Sequence, residues 1–169
     1  AWNSTNFISG GYDFIDSDSN PTDPEAALDN ETASSHGTHV ASTIGSKNNG
    51  KNLNGFPVSV LNVRVLGADG SANNSVAKGI LYAAGLDNIS GTVAPTAIPI
   101  KVINLSLGGA NYNQVMCSAV TDARAQGLVV VASSGNEQDT EPGLINYPAA
   151  CPGVISVGAT NSAGEITGY

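Results

Sequence analysis

A chain of 169 residues with 41% hydrophobic and 12% charged side chains can bury one substantial core but is short for two ordinary domains. Its net charge of -8 comes from 14 acidic against six basic residues, which excludes nucleic acid as a partner, because that binding depends on Lys and Arg against phosphate. The longest apolar runs, such as residues 128–132, fall far below the roughly 18 to 20 residues of a membrane span, so no membrane partner is expected.

From the N-terminus, GYDFIDSDSNPTDP gathers Asp13, Asp16, Asp18 and Asp23 in a loop. The segment SSHGTHVASTIG then runs from a Ser-rich loop into a helix expected over residues 36–46, with His36 at or beside its first turn. The positive end of a helix dipole suits a neutral imidazole that accepts a proton, the task of a general base. The segment alone leaves other readings open. His36 and His39 could share a helix face as a metal pair, although the HExxH pattern has a Glu and a different spacing, and either could cap the helix or pack in a core.

Residues 58–66 (VSVLNVRVL) predict a strand and residues 75–86 a helix; residues 101–107 (KVINLSL) predict the next strand. Leu107, Gly108 and Gly109 leave it with little side-chain bulk, so an extended peptide could pair with their backbone, though glycines here can also simply turn the chain. A helix is expected over residues 112–126, ending before Gly127, then strands over 128–133 (LVVVAS) and 154–159 (VISVGA). After LVVVAS, Gly135 permits a sharp turn and Asn136 projects a neutral amide donor that could stabilise an oxyanion; the same pair also makes an ordinary Gly-Asn turn. Cys117 and Cys151 are too few for a tetrahedral zinc site, which leaves one disulfide or two buried thiols.

Strands alternating with helices imply an α/β class built on a parallel sheet. Near-continuous apolar strands imply burial on both faces, hence a doubly wound, mostly parallel sheet with helices on both sides. In such sheets chemistry gathers where strands end and helices begin.

Together, SSHGTHVASTIG, VRVLGADGSANNSVAKGILYAA, VINLSLGG, LVVVASSGNE and NYPAACPGVISVGATN resemble, in order and approximate spacing, the subtilisin-like serine proteases, from about Gly10 onward. The resemblance implies a serine endopeptidase in which His36 is the triad base, Asn136 the oxyanion-hole donor and His39 a packed residue. It also implies a specificity pocket lined by Ser106, Leu107, Gly108, Ser133, Ser134 and Gly135, with Gly70 and Ser71 on the opposite edge of the substrate channel. The implied substrate is an extended polypeptide, with no cofactor for catalysis. Structural calcium is suggested by oxygen-rich residues 13–29 and 47–54, although the second loop departs from family spacing by continuing through GFPVSV. A Cys117–Cys151 disulfide and a secreted location follow from the same resemblance.

Two departures bear on completeness. No Asp-Thr-Gly or Asp-Ser-Gly turn carries the triad acid, and no Gly-Thr-Ser segment carries the nucleophile; GYDFID resembles the stretch after that turn, and Ser106, Ser133 and Ser134 match pocket positions. Residues 1–169 are therefore expected to form a single, incomplete peptidase domain whose remaining partners are the missing parts of its own catalytic domain. Alone it should have no peptidase activity and no independent fold. The alternatives are a catalytically dead pseudo-protease or binding module of the same fold, and a doubly wound ligand-binding domain, for which no phosphate-binding glycine fingerprint is present.

Overall fold

The structure, a computed structural model, describes residues 7–22, 36–48, 50, 54–67, 70, 72, 74–95, 97, 99–137 and 140–167. The chain divides into two units, residues 1–79 and 80–169.

In the first unit, β1 (Tyr12–Asp13) pairs in parallel with β2 (Val63–Arg64), Tyr12 opposite Val63 and Asp13 opposite Arg64. Phe7 adds a parallel bridge to Val60. The strand expected over 58–66 thus contracts to its centre, and β1 was not anticipated, because GYDFID is too short and too acidic to read as a strand. The acid is what is buried: Asp13 is 1% exposed and its carboxylate meets Arg64 Nη1 at 2.7 Å. Gly11 passes so close to the Asn62 carbonyl that a Cβ would collide with it, which lets β1 approach β2.

Helix α1 spans His36–Gly45 and turns Ala41, Ser42 and Gly45 inward. Residues after it fold back along its end, Gly55 N donating to Ser46 O and Phe56 N to Ile44 O. Helix α2 spans Ser75–Ala83, and the division between the units falls within it. On the first unit's side, Ser75 Oγ donates to Phe14 O, and a Cβ on Gly79 would lie 2.6 Å from Val65 Cγ1, so the helix rests directly on the β2 segment.

The second unit holds a parallel sheet in the order β3 (Val102–Leu105), β4 (Val129–Ser133), β5 (Ile155–Val157). Helix α3 (Gln114–Ala125) links β3 to β4; the Asn113 side chain caps it by accepting from Met116 N at 3.0 Å, and the chain leaves through Gly127 at φ 85°. Val120 and Ala123 are fully buried and α3 packs against β4. Cys117 and Cys151 form a disulfide with Cα atoms 5.3 Å apart, tying α3 to the loop before β5.

The α/β architecture of parallel strands alternating with helices is as read from the sequence. Ile103, Leu105, Val130 and Ala132 form a buried row, whereas Val102, Val129, Ile155 and Val157 on the opposite face are 45–56% exposed.

Candidate active site

His36 opens α1 and is exposed. His39 is exposed as well, a correction to the packed position the resemblance implied for it. The reason lies in the helix register: the inward face runs through Ala41, Ser42 and Gly45, which leaves positions 36, 39 and 43 on the outer face. No group of three or more His, Cys, Asp or Glu is arranged for a metal among the described residues. Asp13 and Asp16 are committed to Arg64, and Asp13 Oδ1 also accepts from the N–H of Ile15 and Asp16. The described part of the acidic loop therefore does not fit a calcium site; residues 23–29, 49 and 51–53 of the two suggested regions lie outside the described residues.

In the second unit, β3 and β4 end side by side. Their paired register carries Leu105 opposite Ala132, and Ser133 Oγ donates to Leu107 O at 3.4 Å just beyond. Gly135, at φ 116°, then turns the chain and leaves Asn136 exposed at the strand exit. The structure thus brings Ser106, Leu107 and Gly108 together with Ser133, Ser134, Gly135 and Asn136. Asn104 Nδ2 donates to Ser106 Oγ, and Ser133 Oγ is engaged as described. Both histidines precede residue 80, so neither serine has a histidine within its own unit. His36 and Gly70 belong to the first unit, and Ser71 lies outside the described residues.

Two residues that sequence reasoning did not assign complete this strand-end cluster. Glu137 Oε2 accepts from the backbone N–H of Asn136 at 2.7 Å and from Asn146 Nδ2 at 3.0 Å. Asn146 N donates to Ser134 O, while Tyr147 exchanges both backbone bonds with Gly109. Residues 146–147 therefore close the gap between the two strand exits. The available signal was the Asn-Tyr-Pro step ahead of β5, a polar residue in an otherwise apolar approach to a strand.

A family model described as the subtilase family matches residues 3–169. The chain is similar to an extracellular protease of Xanthomonas campestris, with 36% identity covering 96% of this chain and 31% of that protein. It is similar to subtilisin of Bacillus pumilus, with 37% identity over 94% of this chain and 52% of that protein, and to thermitase of Thermoactinomyces vulgaris, with 37% identity over 91% and 48%. Among solved structures, a protease of Pseudoalteromonas arctica matches with a TM-score of 0.75 at 30% identity, covering 97% of this chain and 53% of that one. The chain therefore spans about half or less of the length of these relatives.

Proposed function

This chain belongs to the subtilase family, and we propose that the protein it comes from is a serine endopeptidase in which His36 is the general base and Asn136 an oxyanion donor. The observation that carries the reading is the family match along residues 3–169, with His36 at the start of a helix and Asn136 at the exit of a parallel strand. Residues 1–169 are read as part of one peptidase domain; the acid and the serine of the triad come from the rest of the full-length protein.

In this reading His36 takes the proton of the attacking serine and returns it to the leaving amine. Asn136 holds the tetrahedral oxyanion with its side-chain amide, since its own backbone N–H is already engaged by Glu137. The substrate is an extended polypeptide lying along residues 106–108 and 133–135. Secretion is supported by the extracellular Xanthomonas relative and by the disulfide, which persists in oxidising compartments. No helix of the described residues is long and apolar enough to cross a membrane.

The test is fluorophosphonate labelling of the full-length protein, followed by peptide mapping, with His36→Ala as control. Labelling of one serine that disappears in His36→Ala is the expected result. A folded full-length protein that takes up no label would overturn the reading in favour of a dead homologue.

A further inference from the structure

We propose that Glu137 is a positioning residue for the oxyanion donor: its carboxylate fixes the Gly135–Asn136 peptide and so sets where the Asn136 amide stands when the substrate carbonyl is attacked. The inference rests on the oxyanion role read above for Asn136.

Asn136 follows a residue that gives it little support. Gly135 sits at φ 116°, a region open to glycine, and has no side chain whose packing could hold the turn. Asn136 itself is exposed at the strand exit. Rotation about the glycine would swing the amide donor, and a misplacement of about 1 Å is enough to cost about 100-fold in rate. An oxyanion donor acts by being in place before the charge develops, so this turn needs a hold from elsewhere.

Glu137 supplies it. Its Oε2 accepts the N–H of Asn136 at 2.7 Å, a charge-assisted bond to the peptide that joins residues 135 and 136. The same oxygen accepts from Asn146 Nδ2 at 3.0 Å. Asn146 is 4% exposed, and its backbone N–H donates to Ser134 O at 2.8 Å. A closed ring therefore runs from Ser134 through Asn146 and Glu137 to Asn136, tying the exposed donor to a buried residue and to the residue that follows β4. The backbone of Glu137 is held as well, since its carbonyl accepts from Thr140 N at 3.1 Å and from Glu141 N at 2.7 Å. Glycine at position 135 serves this arrangement a second time, because a Cβ there would collide with Glu137 Oε2 as it folds back over the turn. The charge itself is no help to an oxyanion, which a nearby carboxylate repels. What the carboxylate contributes is its two hydrogen bonds.

The experiment measures kcat and KM of the full-length enzyme, with active sites counted by fluorophosphonate titration, for Glu137→Ala, Glu137→Gln, Asn136→Ala and the double variant Asn136→Ala/Glu137→Ala. We expect Glu137→Ala to lower kcat by about tenfold, part of the loss from removing the donor outright, with KM within about twofold. Glu137→Gln, which keeps a carbonyl oxygen to accept both bonds, should restore kcat to within about threefold of the parent. In the Asn136→Ala background, Glu137→Ala should cost nothing further, because there is no donor left to position. The loss should also be the same for peptides with Ala, Phe or Lys on the acyl side of the cleaved bond, since the oxyanion forms on the backbone. If Glu137→Ala does not fold, Glu137→Asp, which keeps the charge but draws the oxygen back by one methylene, replaces it in the same comparison.

An equal loss with and without Asn136 would mean a structural role and overturns the inference. So does a loss confined to one of the three peptides, which would mean contact with the substrate side chain, or a kcat that rises in both neutral variants. A labelled enzyme whose Glu137→Ala form keeps full kcat overturns it too and leaves the endopeptidase reading intact. Absence of labelling and cleavage in the unmodified protein overturns the two together.

Discussion

Two carboxylates reach the same Arg64 nitrogen at the same 2.7 Å, but the Asp13 side chain is 1% exposed and that of Asp16 is 54% exposed. Coulombic attraction at equal distance is far stronger away from water, and the cost of stranding a charge grows with burial. Asp13→Ala would leave a guanidinium that is only 11% exposed with just its outer partner. It would also strand the N–H groups of Ile15 and Asp16, which Asp13 Oδ1 accepts at 2.7 and 3.0 Å. We expect Asp13→Ala to cost about 4 kcal/mol, the range for breaking a buried pair, and Asp16→Ala under about 1 kcal/mol, the range for an exposed one. Burial by itself lowers the pKa of Arg64, but hydrogen bonds to Asp13 and Asp16 and their charges outweigh it, so the pKa stands above its ordinary value. Stabilisation from such a raised pKa is complete below the ordinary value and is lost only as pH climbs through the raised one. Arg64 should therefore add no pH dependence to the difference between the variants from about pH 6 to 9. The assay is urea unfolding of the full-length protein, followed by circular dichroism after fluorophosphonate inhibition to prevent self-digestion. Equal losses in the two variants, or a loss under about 1 kcal/mol for Asp13→Ala, would refute the argument that burial decides.

The Cys117–Cys151 bond closes a loop of sequence separation 34, so replacing both residues with Ala should cost about 4 kcal/mol in the chain-entropy model. Reduction should shift the urea midpoint in the same direction, and alkylation of two thiols in the non-reduced protein would show that the bond is not formed. Gly135→Ala combines a φ of 116° with a Cβ 2.6 Å from Asn146 Nδ2. It should destabilise the protein by about 1–3 kcal/mol and, by displacing Asn136, lower kcat/KM by about 100-fold. Measured kinetics indistinguishable from the parent would mean that the turn does not hold Asn136. Asn136→Ala should lower kcat with little change in KM; the loss known for the equivalent donor of a subtilisin, about 100- to 1,000-fold, sets the scale.

Local signals were sufficient for α1, α3 and the centres of β3 and β4. Periodicity and a terminating Gly127 are properties of neighbours in the chain. The motifs at His36 and around Asn136 were legible for the same reason, because each is contiguous. β1 was not legible: its key residue, Asp13, is stable inside only because Arg64, 51 residues away, meets it there. The roles of Glu137 and Asn146 were equally hidden, since Asn146 matters through Gly108, on another strand exit, and through a carboxylate nine residues distant. By itself, then, the sequence determined the order of helices and strands and the contiguous motifs, through backbone preferences that act over a few residues. Only the tertiary structure decided which polar groups are buried and what pairs with them, because burial and pairing are set by residues far apart in the chain.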